Sequence, residues 1–291
     1  AVVIGGGAIG LEFASMMSDL GSDVTIIEAL PRILANCDDD IIRIVERSFK
    51  KRGIKVHAGV SVTGHTRTAD GVTVTFGEGQ EVTAETVVLS VGRRPNSATL
   101  GLEATSVSVD ERGFVEVDQT GRTSVDGVWA VGDLIDTPQL AHTGFAEGML
   151  AITDILGEDA MPIDYDRVPW CIYCHPEVAF AGLTEAQARE RGYDVVVSKH
   201  RYAGNGRAMI VGETDGLVKI IAERQPDGTG GRILGVHLAG PWVTEQLGQG
   251  YLAVNWEATV DEVAHFIQPH PTMSELFGES VLALTGRSLH G

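Results

Sequence analysis

The sequence predicts an α/β chain: a Rossmann-type dinucleotide-binding domain, a partial segment of a second α/β domain, and an α+β domain. Three observations predict it. A glycine-rich turn, Gly5-Gly6-Gly7-Ala8-Ile9-Gly10, joins an apolar strand to a helical pattern. A second apolar strand ends on an acid, Glu28. The last third sets strand-like runs against amphipathic helices, as in an antiparallel sheet with helices on one side.

Taken in order, residues 1–93 alternate strand and helix. Ala1–Ile4 and Val24–Glu28 are short apolar strands, and Gly10–Leu20 has helical spacing with Leu11, Ala14, Ser15 and Met16 available for packing. Asp39–Arg52 is an amphipathic helix with Ile41, Ile42, Ile44, Val45 and Phe49 on its inner side, closed by Gly53. Val60–Val82 alternates apolar and polar about Asp70-Gly71, a hairpin region, and Thr86–Val91 is a third apolar strand. Residues 94–164 hold short strands, a turn at Gly132-Asp133 and a helix over Thr143–Leu156. That is too little for a whole domain, and the segment reads as the return half of one. Residues 165–291 carry strands at Val195–Arg201, Gly216–Ala222 and Ile233–Leu238, with helices at Thr184–Gly192, Val243–Trp256 and Thr272–Leu284.

Composition excludes several classes. A formal charge of −18 repels phosphate backbones and anionic membranes, so neither nucleic acid nor a membrane surface is an expected partner. Apolar runs stay well short of the roughly 20 residues that cross a bilayer. Three cysteines are too few for a secreted disulfide framework. No histidines stand at metal-ligand spacing, so no metal site is expected, and Asp38-Asp39-Asp40 reads as a helix N-terminal charge cluster. The chain opens AVVIGGGAIG inside what reads as a buried strand, and it is expected to be a fragment of a longer protein.

The glycine pattern matches G-x-G-x-x-G in its proper context. Gly5 permits the tight turn, Gly7 lets backbone approach a pyrophosphate, and Gly10 lets the helix pack closely on the strand. The helix N-terminus supplies N–H groups and partial positive charge for the phosphates. Glu28 falls where an acid accepts hydrogen bonds from ribose hydroxyls. A carboxylate there repels a 2′-phosphate, which favours NAD over NADP.

His270-Pro271-Thr272-Met273-Ser274-Glu275 resembles the H-P-T-x-x-E motif of the pyridine nucleotide-disulfide oxidoreductases. SVGRRPN (Ser90–Asn96), VWAVGD (Val128–Asp133), QLAH (Gln139–His142), the block Cys174–Ala179 and DGLVKII (Asp215–Ile221) follow in the order of that family. Within it the lipoamide dehydrogenases are most similar. The resemblance implies an NAD-binding domain at 1–93, the C-terminal part of an FAD-binding domain at 94–164 and a dimerisation domain at 165–291. It places Gly5, Gly6, Gly7, Ala8, Ile9, Gly10, Leu11, Glu12, Glu28, Val62 and Gly92 at NAD-contact positions. It puts Asp133 on the flavin ribityl chain and Gln139, Leu140, Ala141 and His142 beside the isoalloxazine ring. His270 becomes the catalytic acid/base and Glu275 its orienting partner.

That assignment suits the chemistry. A thiol must lose a proton to become a nucleophile, and histidine titrates near physiological pH. A glutamate can hold one ring nitrogen, fix the tautomer and stabilise the imidazolium. Thr272 is the expected N-cap of the following helix, with Glu275 in capping-box position.

Two departures stand out. Family members begin with an FAD fingerprint and a C-x4-C redox pair, and neither occurs in these residues, so the flavin site is incomplete in this chain. Cys171 and Cys174 form a C-x-x-C that reads as structural, with Cys171 and Tyr173 on one strand face and Cys174 on the other. Gln268 stands where lipoamide dehydrogenases commonly have a second histidine.

The resemblance therefore implies a parent enzyme that oxidises a dihydrolipoyl group on a carrier domain and reduces NAD through FAD. It implies a homodimer, because the histidine of one subunit serves the disulfide of the other. The acyltransferase core of a 2-oxo acid dehydrogenase complex is the expected partner, in the cytoplasm or, in a eukaryote, the mitochondrial matrix. The fragment alone is expected to be inactive yet able to bind NAD and dimerise. Alternatives are a mercuric or glutathione reductase type of flavoprotein, and a non-catalytic NAD-binding or dimerisation module.

Overall fold

The short apolar runs at the N-terminus pair as a four-stranded parallel sheet. In the computed structural model, which describes residues 1–290, β1 (Val2–Ile4), α1 (Ala8–Asp19), β2 (Thr25–Glu28), α2 (Asp39–Lys51) and β3 (Lys55–Ala58) come first. β4 (Val62–Thr68), β5 (Gly71–Phe76) and β6 (Gln80–Ala84) make an antiparallel meander before β7 (Val87–Leu89) rejoins the parallel sheet in the order β3-β2-β1-β7. After α3 (Ala141–Ile155) follow β8 (Trp170–Ile172), β9 (Glu177–Gly182), α4 (Glu185–Glu190), β10 (Val195–Arg201), α5 (Gly206–Val211), β11 (Leu217–Arg224) and β12 (Gly230–Gly240). α6 (Val243–Asn255), α7 (Val260–Ala264) and α8 (Glu275–Ala283) complete the chain. Contacts divide it into two units, residues 1–91 with 169–291, and residues 92–168.

In the first unit, β10-β11-β12-β9-β8 form an antiparallel sheet. One face packs on α6, α7 and α8 through Val236, Leu238, Leu247, Val263, Leu276, Phe277 and Val281. The other face is not open. Ile172, Val178, Phe180, Leu217 and Ala239 share a core with Leu11, Ala14, Ile41, Val45 and Phe49 of α1 and α2. This corrects the expectation of helices on one side only. It also explains why β11 and most of β12 are buried continuously rather than in alternation.

The join between sheet and Rossmann unit contains a buried ion cluster. Lys219 on β11 lies 2.8 Å from Asp38, 2.7 Å from Asp40 and 2.8 Å from Glu185, and Lys199 lies 2.8 Å from Asp40. The acids at 38–40 do sit at the N-terminus of α2, and Asp38 caps it by accepting from the Asp40 N–H. Their buried partner was invisible in the sequence. Burial works against charge on Asp40, but Lys199 and Lys219 overcome it and hold the carboxyl down at about 2. Burial likewise opposes the Glu185 charge, and Lys219 and Arg189 outweigh it, so its carboxyl is also lowered.

A carboxyl depressed on folding stabilises the fold above its unfolded pKa and loses that contribution as pH falls through its folded pKa. Lys219 is raised, despite burial, by its three acids, so its share is present below its unfolded pKa and is lost only at higher pH. The stability difference between the wild-type chain and Asp40→Asn is therefore expected to be constant above about pH 5 and to shrink between about pH 4 and 2. Urea unfolding across that range checks it, and a difference insensitive to pH contradicts it.

The second unit has short 3-10 turns at Ser97–Thr99, Leu102–Ala104 and Gly132–Leu134 and a small core of Val115, Ala130 and Ile135. The expected strands reduce to isolated bridges, Val109 with Val115 and Arg122 with Trp129. Buried Glu147 on α3 ties the unit together. It accepts from Gly132 N–H at 2.6 Å, Thr137 Oγ1 at 2.7 Å and Tyr165 Oη at 3.0 Å. Phe145, Met149, Ile152 and Leu156 form an exposed apolar stripe along α3.

Other boundaries shift for local reasons. α1 begins at Ala8 and α3 at Ala141, each two residues before the expected start. On α1, Met16 is exposed and Met17 packs on the core instead. The run 86–91 is a strand only over Val87–Leu89, and Leu89 and Val91 are exposed. Trp242 and Trp256 are exposed. Cys171 packs against the helix-side core and Cys174 lies in the opposite one, while Tyr173 stands exposed past the end of β8. Burial pushes the Cys174 thiol up to about 12 and raises Cys171 too, so neither is poised as a thiolate.

Candidate functional site

The glycine turn divides its labour residue by residue. Gly5 has φ +108°, and a Cβ there would meet Ser90 O at 2.2 Å. A Cβ on Gly10 would meet Gly5 O at 1.9 Å, so helix and strand close on each other only because that side chain is missing. Gly7 differs: nothing lies within 4 Å of its Cβ position. Its missing side chain is not explained by internal packing, and open space remains over the turn. Gly7 is the N-cap of α1, with no side-chain cap and no acid in the first turn. The N–H groups of the first turn are thus left for an external acceptor of negative charge.

Glu28, buried at the end of β2, accepts from Gly6 N–H through Oε2 and from Leu30 N–H at 2.6 Å through Oε1. Each oxygen keeps a lone pair for a further donor. Ala8 is half-buried and Ile9 is exposed beside the turn. Leu11 lies on the inner face of α1. Its side chain is fully buried and its N–H donates to Gly7 O. The Glu12 carboxylate accepts from Tyr173 N–H at 2.9 Å. Val62 packs on the small core of the meander. Gly92 belongs to the second unit, with φ +115° and open space at its Cβ position.

The second constellation stands at the start of α8. His270 Nδ1 is 2.9 Å from Glu275 Oε2, with the imidazole largely exposed (73%) and the carboxylate buried (8%). Glu275 selects the Nδ1–H tautomer and leaves the Nε2 lone pair directed to solvent, the arrangement of a general base with its orienting acid. A third residue, absent from the sequence reading, completes it. Asn205 donates from Nδ2 to Thr272 O at 3.0 Å and to Glu275 Oε1 at 3.3 Å, while its Oδ1 caps α5 through Ala208 N–H.

The helix starts at Glu275 with Ser274 as N-cap, not at Thr272. Thr272 Oγ1 still accepts from Glu275 N–H at 3.1 Å, but the Glu275 side chain turns to His270 rather than back to close a capping box. Gln268 donates to Gln249 Oε1 at 3.1 Å.

In the second unit, Asp133 is exposed, 3.8 Å from Arg93, which also donates to Gln139 O at 3.0 Å. Leu140 is the N-cap of α3, with no side-chain cap, and Ala141 and His142 are the first two helical residues. Gln139 Nε2 and Thr143 Oγ1 are buried without a hydrogen-bond partner. Two orphaned polar atoms beside an uncapped helix start suit a polar, negatively charged group.

Residues 1–148 match the family model for pyridine nucleotide-disulphide oxidoreductases, and residues 168–281 match that family's dimerisation domain. The chain belongs to this family. Dihydrolipoyl dehydrogenases from Rhizobium etli and from Bacillus subtilis are each 40% identical over 99% of this chain. The chain spans about 60% of the length of these relatives (60% and 61%). Among solved structures, LpdA of Mycobacterium tuberculosis superposes with TM-score 0.90 at 28% identity, over 97% of this chain and 61% of that one. The HOCl-induced flavoprotein disulfide reductase RclA of Escherichia coli gives 0.88 at 29% identity, over 98% and 64%. No helix among the described residues is long and apolar enough to cross a membrane.

Proposed function

We propose that this chain is the NAD-binding, histidine-bearing and dimer-forming part of an FAD-dependent dihydrolipoyl dehydrogenase. The observation that carries the reading is the His270–Glu275 pair, an exposed base held by a buried acid at the start of α8. His270 Nε2 takes the proton from a substrate thiol, so that the thiolate can attack a disulfide. Glu275 holds the ring and stabilises the imidazolium, and Asn205 holds Glu275. The turn at Gly5–Gly10 and Glu28 would hold NAD. Asp133, Gln139, Leu140, Ala141 and His142 would hold part of FAD, with the orphaned Gln139 Nε2 in support. When bound, FAD relays the electrons of a dithiol and NAD receives them as hydride.

The name of the relatives supports a dihydrolipoyl group on a carrier domain as substrate, with the acyltransferase core of a 2-oxo acid dehydrogenase complex as partner. The match to a dimerisation domain supports a homodimer in which the histidine serves the disulfide of the other subunit. The compartment proposed is the cytoplasm, or the mitochondrial matrix in a eukaryote. Similarity to RclA favours, as second reading, a related flavoprotein disulfide reductase with another substrate. Titration calorimetry of the 291-residue chain is expected to show NAD binding tighter than NADP, because Glu28 repels a 2′-phosphate. Equal affinity, or binding of neither, contradicts the reading.

A further inference from the structure

Residues 29–37, between Glu28 and Asp38, the N-cap of α2, form a strap that lies against the glycine turn at Gly6. Leu34 N–H donates to Gly6 O at 2.9 Å, and Ile33 Cγ2 lies 2.9 Å from where a Gly6 Cβ would stand. Leu30 N–H holds one oxygen of Glu28 and Gly6 N–H holds the other. Leu30 O accepts from Gly59 N–H at 2.7 Å. The strap is thus anchored to the sheet at one end. Leu34 has φ +46°, a left-handed conformation costly for a branched residue, so something must hold the strap in place.

The other end of the strap is Asp38. Both of its oxygens lie on Lys219 Nζ, at 2.8 and 3.0 Å. Oδ1 also accepts from Asp40 N–H at 3.0 Å and Oδ2 from Glu185 N–H at 3.1 Å. Asp38 and Lys219 side chains are each 2% exposed, so solvent does not screen the pair. Lys219 in turn cannot drift. It is paired across the sheet with Lys199 and His237, and the row continues as His237 stacked on Phe180 and Phe180 stacked on Trp170. Lys219 is thus one member of a row that crosses all five strands, from Lys199 to Trp170, and from that row it reaches the acid that closes the strap.

We propose that Lys219, far in sequence from the glycine turn, is a positioning residue for NAD recognition: it pins Asp38 and so holds strap 29–37, Gly6 and Glu28 in the geometry that selects a free ribose 2′-hydroxyl. The inference rests on the NAD reading of the turn and adds a determinant outside the dinucleotide-binding residues. Loss of the pin releases Glu28. NAD then loses its ribose hydrogen bonds, while NADP, which gains nothing from Glu28, loses little. The consequence is a change in selectivity rather than a uniform loss.

The test measures NAD and NADP dissociation constants for the 291-residue chain, well below its unfolding temperature, in wild type, Lys219→Met and Arg232→Met. Arg232, on β12 of the same sheet, is a control that loses ion pairs to Glu223 and Glu257. In Lys219→Met, NAD binding is expected to weaken about tenfold and NADP binding less than about twofold, a coupling of ordinary size between distant groups. Arg232→Met leaves the ratio unchanged. Without ligand, amide exchange at Leu34 accelerates in Lys219→Met only. If Lys219→Met does not fold, Asp40→Asn, which removes one partner of the same lysine, shows the same shift at smaller size.

An unchanged ratio with wild-type NAD binding intact overturns this inference alone. Proportional weakening of both dinucleotides also overturns it, since a merely structural role acts that way. A wild-type chain that binds neither overturns the NAD reading and this inference with it.

Discussion

Gly10→Ala is expected to destabilise the first unit by about 3 kcal/mol, the upper part of the range for an overpacked site. The added Cβ would stand 1.9 Å from Gly5 O and 2.8 Å from Ser90 Oγ. Gly5 O is backbone, so no rotamer change relieves the contact, and helix α1 must leave β1. Gly7→Ala separates folding from binding within the same motif. Nothing lies within 4 Å of that Cβ, so stability changes by no more than about 1 kcal/mol, the size of a weakened N-cap. The methyl group nevertheless occupies the space a pyrophosphate would need, so NAD affinity falls. Urea unfolding of both variants checks the first claim. Gly10→Ala as stable as wild type, or Gly7→Ala much less stable, contradicts the division of roles.

His270→Gln is expected to lower dihydrolipoamide turnover a hundred- to ten-thousandfold, the usual contribution of a positioned acid/base. Such an assay needs a flavin and a redox pair. It is therefore run on the chain supplied with the N-terminal segment of a dihydrolipoyl dehydrogenase relative. Glutamine keeps a polar side chain of similar reach but cannot take a proton at neutral pH, so binding of NAD stays as in wild type while kcat collapses. Asn205→Ala acts in the same direction and less strongly, because it loosens Glu275 without removing the base. Turnover unaffected by His270→Gln would remove the histidine from the chemistry.

The glycine turn and the histidine motif were legible because their physics is local. Strand, turn, helix and acid lie within 28 residues, and His270 and Glu275 are five apart. What escaped is long-range. Lys219 reads as one polar residue in an apolar strand, and its partners Asp38 and Asp40 lie 181 and 179 positions away. Asn205 sits in a Gly-Asn-Gly run that signals only a turn, and its link to Glu275 spans 70 positions. The second face of the antiparallel sheet was missed for the same reason: α2, which covers it, belongs to the other end of the chain. Leu11 differs from the other positions of the motif. A motif position is no guarantee that a side chain is presented, and here helix packing claims it. Likewise the Thr272–Glu275 spacing suits a capping box, but the histidine competes for the same carboxylate and wins.

The central claim is that these residues are the NAD-binding and proton-transferring part of a flavin-dependent disulfide oxidoreductase acting on dihydrolipoyl groups. NADH formation from dihydrolipoamide tests it most directly, measured with the purified chain alone and again with the N-terminal segment of a dihydrolipoyl dehydrogenase relative supplied. The account predicts no turnover above background for the chain alone, and FAD-dependent turnover once the segment is present. Turnover by the chain alone, or none with segment, FAD and NAD all bound, would contradict it.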